Sequence, residues 1–228
     1  MTRVRPLKYK KCSQKGFTIV ELLLATAISG ILATVMLAIT VYFYGSTLQA
    51  QMATKMALES QLILTQLVED IRLSDGIGQT NEIADPNAPM GGWVTNDPSN
   101  IIIIKAPAID SSRKIIYDPS TGLPYRNEYV YFTTGSTMYR RTLKNTTAPG
   151  NTAVTTCPSA LSSPSCPADK EYSRNMNNLT FSFYDINDDP IADATQARSV
   201  TLNVNMLRTV YGKSLTLSNT TRTTLRNY

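Results

Sequence analysis

The chain of 228 residues contains no histidine. That absence removes every Ser–His or Cys–His catalytic pair, every His-ligated metal and every imidazole proton switch. Cysteine is scarce, with three in the chain. No acidic residue stands among the first sixteen, and no proline interrupts residues 17–75. Charged residues make up 17% and apolar ones 42%, a balance too apolar for a disordered chain and too polar for a protein of many membrane spans. Most familiar hydrolases and metalloenzymes are excluded, and the expectation is a protein that is not an enzyme. An exported hydrolase built on paired carboxylates stays open.

The net charge of +5 is unevenly placed. Arg3, Arg5, Lys8, Lys10, Lys11 and Lys15 fall within residues 1–16, which leaves 16 of the 22 basic residues to face all 17 acidic ones. Beyond the first sixteen residues the chain is therefore close to neutral, and no basic surface for nucleic acid is indicated.

The basic stretch leads into FTIVELLLATAISGILATVMLAITVYFY, residues 17–44, where Glu21 is the one charge. About 20 apolar residues in a helix cross the roughly 30 Å hydrocarbon layer, so this run spans a membrane. The cations before it place the N-terminus on the cytoplasmic side. A cleavable secretory signal has an apolar core of only about 7–15 residues, shorter than this one. A plain signal anchor fits the length and the charge but leaves Glu21 unexplained, because a carboxylate inside an apolar run is costly unless paired.

Lys15-Gly16-Phe17-Thr18-Ile19-Val20-Glu21 resembles the processing site of the type IV prepilins. The resemblance implies a basic leader over 1–16, cleavage after Gly16 by a prepilin peptidase, and methylation of Phe17 by a methyltransferase. It also implies an assembly salt bridge between Glu21 and the new amine of a neighbouring subunit. Pairing would neutralise both charges among packed apolar helices and fix their register. A carboxylate that snorkels to the headgroup layer is the bland alternative for Glu21.

Residues 45–75 keep helix formers. Leu48, Met52 and Met56 recur at a spacing of four, and Leu64, Leu67, Val68 and Ile71 continue the stripe, with Gln49, Lys55, Glu59, Gln66 and Glu69 on other faces. The apolar helix of 17–44 should thus run on as an amphipathic half over 45–75, ending near Leu73 before Asp75-Gly76. The Met52/Met56 pair reads as core packing before a metal site. From 76 to 228, turn residues alternate with short apolar runs. Asn100–Lys105 reads as a buried strand. Glu128–Thr133 and Thr137–Thr142 flank Thr134-Gly135-Ser136 as a hairpin. Leu179, Phe181 and Phe183, then Val200, Leu202, Val204 and Met206, alternate as strands, and Lys213–Ser218 gives a last one. The fold class is α+β: one long N-terminal helix packed on an antiparallel β-sheet head.

The stretch LVEDIRLSDGI, the FYDINDDP segment and the closing TTLRNY resemble minor pilins of the PilW type and the J-type pseudopilins of type II secretion. The implied function is polymerisation through the apolar helix into a type IV pilus or related filament, near its tip, with no cofactor. The implied partners are other pilins, the peptidase and methyltransferase, and an inner-membrane assembly platform. The implied location is the cytoplasmic membrane, single-pass with the head outside, and then the extracellular pilus. The rival from another class is a signal-anchored surface adhesin or enzyme that never polymerises.

Cys12 falls in the leader and would leave with it. Cys157 and Cys166 remain, and an even pair in an exported domain reads as a disulfide. A metal pair would need two further ligands, with no His or third Cys to supply them. Asp185, Asn187, Asp188 and Asp189 have the look of an oxygen-rich calcium loop, without its glycine or its closing glutamate. They equally suit a hairpin turn.

Overall fold

The computed structural model describes residues 16–95 and 100–225; Cys12 and the six cations before Gly16 lie outside them. The described chain is an α-helix followed by nine strands. Helix α1 (Ile19–Arg72) is continuous across the expected junction between apolar and amphipathic halves. It stops one residue short of Leu73. The Ser74 hydroxyl donates to the Ile71 carbonyl at 2.7 Å, and the Asp75 N–H donates to Lys105 O at 2.8 Å, so the chain turns directly onto a strand.

Two compact units result: residues up to Leu48, and residues from Gln49 onward. The last turns of α1 belong with the strands. The head holds two antiparallel sheets instead of the single sheet expected. The first is a meander of β1 (Gly76–Gly78), β2 (Ile102–Pro107), β3 (Arg126–Thr134), β4 (Thr137–Leu143) and β5 (Lys170–Ser173). The second contains β6 (Met176–Tyr184), β7 (Pro190–Ile191), β8 (Ser199–Val210) and β9 (Lys213–Thr224), in the order β7-β6-β8-β9.

The two alternating runs seen in the sequence are direct partners. Leu179 pairs with Val204, Phe181 with Leu202 and Phe183 with Val200, so their apolar faces form one surface. The β8–β9 connection turns at Tyr211 and Gly212, with φ of 52° and 70°, the left-handed pair that a two-residue hairpin requires.

α1 presents Met56, Ile63, Leu67 and Ile71 to both sheets, each at most 1% exposed, and these four join one core with Ile102, Ile104, Tyr131 and Val200. Each such side chain contributes roughly 1.5–3 kcal/mol through burial. Met56 is therefore core, as its spacing suggested, while Met52 is half-buried. Polar side chains on the same helix grip strands far away in sequence. Glu59 accepts from Ser173 Oγ at 2.8 Å and Asn175 Nδ2 at 3.0 Å, and Ser60 Oγ accepts from Asn219 Nδ2 at 2.8 Å. The run of isoleucines in β2 is unbroken because both of its faces are covered. Ile102 and Ile104 face the α1 core, and Ile101 and Ile103 join Trp93, Val130, Phe132 and Leu143 in a second cluster.

Candidate functional site

The N-terminal site is built by the start of α1. Thr18 stands just before the first helical residue, where four backbone N–H groups lack partners. Glu21 Oε2 accepts from Thr18 N at 2.9 Å and from Thr18 Oγ1 at 3.0 Å, and Thr18 Oγ1 accepts from Glu21 N at 3.3 Å. This is a capping box, and T-x-x-E ahead of an apolar run is its sequence signature. That signal was available in the sequence beside the processing motif. The cap engages Oε2 alone; Oε1 has no partner among the described residues, so half of the carboxylate stays open to a cation.

Every residue from 16 to 44 is exposed, Phe17 at 86%. Among the described residues α1 is the one helix long and apolar enough to cross a membrane. Three threonines of its apolar part bond back to the helix: Thr26 donates to Leu23 O, Thr34 to Ile31 O and Thr40 to Met36 O, at 2.8–2.9 Å. These three hydroxyls need no water, which lowers the cost of placing their turns of the helix in an apolar medium. A Cβ added at Gly16 would meet nothing within 4 Å, so the described residues impose no steric need for glycine at this position.

In the head, Cys157 and Cys166 are disulfide-bonded, with Cα atoms 5.6 Å apart. The bond closes a loop between β4 and β5. Cys157 also hydrogen-bonds across it: its N–H donates to Pro167 O, and its carbonyl accepts from Asp169 N at 2.8 Å. Asp169 in turn belongs to an ionic centre that sequence reasoning missed. Arg141, on β4 and 2% exposed, reaches Asp85 through Nη1 at 2.8 Å and Asp169 through Nη2 at 2.6 Å. Both carboxylates are also buried. Burial alone would raise Asp85, but hydrogen bonds from Arg141, from the Trp93 indole and from Asn87 N outweigh it and hold the carboxyl below the usual range. The one available signal was Arg140-Arg141 inside a strand. Adjacent strand residues face opposite sides, so one of two arginines must point inward unless the sheet is bare on a face.

Here both do. Arg140 faces α1, where its Nη1 bonds Asp70 at 3.0 Å, and Tyr131 donates to the same carboxylate oxygen. Gln66 Nε2 occupies the other oxygen of Asp70 at 3.0 Å.

The acidic segment 185–189 forms the turn between β6 and β7. Asp185 Oδ1 accepts from Asn187 N at 2.8 Å and Asp189 N at 3.0 Å, and Asp188 is ion-paired with Arg222 on β9. These are the contacts of the hairpin-turn alternative. No cluster of three or more His, Cys, Asp or Glu side chains placed for a metal ion occurs among the described residues.

The family model described as the prokaryotic N-terminal methylation motif matches residues 11–37. The match spans the Gly16-Phe17 junction, Glu21 and much of the exposed apolar helix, and it supports a type IV prepilin-like protein. No curated protein matches the chain.

Proposed function

We propose that the chain is a minor pilin or pseudopilin, of the PilW or J type, that works as a structural subunit and catalyses no reaction. A prepilin peptidase cuts after Gly16, a methyltransferase modifies Phe17, and an inner-membrane platform moves the subunit into a type IV pilus or related filament near its tip. The observation that carries this reading is the Glu21 carboxylate, half engaged by Thr18 and half open, at the head of an exposed uncharged helix. A cap needs one oxygen; an amine on a neighbouring subunit could take the other.

The test compares Glu21→Val with wild type in membrane and sheared-filament fractions of cells that retain their peptidase. The variant should insert as well as wild type and be depleted from filaments. The filament-borne wild type should begin Phe-Thr-Ile-Val-Glu with a methylated first residue. Equal incorporation of the variant, or an intact leader on the surface protein, would overturn the proposal in favour of a signal-anchored protein.

A further inference from the structure

The two sheets have four edge strands. Three are short: β1 has three residues, β5 four and β7 two. The fourth, β9, has twelve. Long edges are normally blunted by charge, proline or a bulge, because their unpaired backbone groups template another strand. Between Ser214 and Thr221, β9 carries none of these, and its register with β8 is unbroken from end to end, unlike those of β4–β5 and β6–β8.

The ladder shows which backbone groups are free. Leu207 N donates to Asn175 O on the β6 side, and Leu225 N donates to Arg198 O, both at 2.9 Å. Bonding direction alternates along a strand, so β8 reaches β9 through its even-numbered residues and β9 answers through its odd-numbered ones. The N–H and C=O groups of Ser214, Thr216, Ser218, Thr220 and Arg222 therefore point outward. These residues are exposed, and their backbone groups have no partner among the described residues.

Beside this edge lies a groove of about 880 Å³ whose opposite wall is α1. Leu64 and Val68 line it, half-buried, together with Glu69 and Arg72, both exposed and without a side-chain partner among the described residues. β9 runs along α1 in the same direction: the Asn219 amide donates to Ser60, and Val68 and Arg72 share a surface with residues 222–225. From Ser60 to Arg72 the helix rises about 18 Å, and from Asn219 to Leu225 the strand rises about 20 Å, so the two walls keep pace.

These features define the occupant. A row of alternating backbone donors and acceptors is completed by an extended backbone. Leu64 and Val68 call for apolar side chains at every second position, and Glu69 and Arg72 for a base and an acid on the same side. A second copy fits poorly. Antiparallel pairing of two β9 edges would point the two α1 helices in opposite directions, which copies anchored in one membrane cannot adopt, and parallel pairing is the weaker ladder. We propose that β9 receives an extended segment of a different polypeptide, added as an outer strand between β9 and the flank of α1. The site lies in the head alone and does not depend on polymerisation.

The test uses the nitrogen-15-labelled full-length chain in phosphocholine micelles. The probes are peptides of about nine residues, enough to span Ser214 to Arg222. They alternate valine and threonine, with one aspartate and one lysine on the valine side in either order. At least one should bind saturably and slow amide exchange at Thr216, Ser218 and Thr220 by about tenfold or more, while Leu217 and Asn219, already bonded to β8, change little. Methylating the backbone nitrogen of every second peptide residue should abolish binding in one phase and spare it in the other, because only one edge of the new strand faces β9. Ser218→Pro deletes one outward N–H and leaves the β8 ladder intact; it should weaken binding about tenfold with the rest of the spectrum unchanged. Glu69→Lys should weaken it too, and a peptide whose lysine is replaced by glutamate should restore it. No saturable binding by either peptide, equal loss from both methylation phases, or dimerisation of the peptide-free chain through protected β9 amides would each overturn the proposal.

Discussion

Tyr131 on β3 donates its hydroxyl to the Asp70 carboxylate on α1 at 2.5 Å, across 61 residues of sequence. Asp70 collects Arg140 and Gln66 as well, so a single helical carboxylate ties two strands to the helix. Burial, and then the neighbouring Asp70 charge, push the Tyr131 phenol well above its usual range. Tyr131→Phe should lower head stability by about 2 kcal/mol, the loss of a hydrogen bond to a charged acceptor. Asp70→Ala should cost more, about 3 kcal/mol, because it strands a largely buried guanidinium and the phenol together. Urea unfolding followed by near-ultraviolet circular dichroism checks both. Equal costs would show that Arg140 finds water when Asp70 is removed.

Arg141 separates two buried carboxylates. Arg141→Met keeps the bulk and removes the charge, leaving Asp85 and Asp169 facing each other. The expected loss is about 3–5 kcal/mol. Arg141→Lys should recover only part of it, since one ammonium cannot reproduce the fork that spans both partners. Thermal melts of the three proteins decide the order.

Acid should erode the same centre. Asp85 has a lower pKa in the folded chain than in the unfolded chain, where it lies near 3.9. Its contribution is therefore complete above that value and fades as pH falls below it, through the folded pKa. Asp85→Asn should be less stable than wild type at pH 7, and the gap should close as the medium approaches pH 2. A gap constant with pH would mean that the carboxylate contributes shape and not charge. Glu128 runs the opposite way. Its pKa is raised, chiefly by burial against the opposing effect of the Glu82 and Ile83 N–H groups, so its contribution is present at low pH and lost as pH rises.

Thiol titration of unfolded, leader-free protein should find no free cysteine. Replacing Cys157 and Cys166 by serine should cost about 2–3 kcal/mol in the chain-entropy model of a small closed loop. The loss should couple to Arg141, because Cys157 holds the backbone of Asp169. A double-mutant cycle with Arg141→Met should therefore be non-additive. Membrane insertion should be unchanged.

Much of the fold is written locally. The 3.6-residue stripe placed the end of α1 within one residue, and the period-two runs at 179–183 and 200–206 marked β6 and β8. The short strands β1, β5 and β7 carry no such pattern: Gly76–Gly78 has one side chain, and Pro190–Ile191 is too brief to alternate. Alternation also tells which residues share a face but not which sheet a strand joins, so the split into two sheets was invisible. At the N-terminus the prepilin-like motif was legible because its residues, Gly16 to Glu21, are contiguous. The Arg141 centre was not, because Asp85 and Asp169 lie 56 and 28 residues away from it. Those ion pairs exist only once the sheet has formed.

The grip of the strands on α1 also has a mechanical meaning. The residues from Ile19 to Tyr44 and those from Gln49 to Arg72 belong to the same helix. Within the unit that begins at Gln49, a pull along α1 is borne by side-chain anchors. There it meets Glu59, Ser60 and Asp70, bonded in turn to β5 and Asn175 just beyond it, to β9, and to β3 and β4. Drawing the helix out lengthwise would load these anchors and the apolar contacts between them together, like shearing a glued joint instead of peeling it.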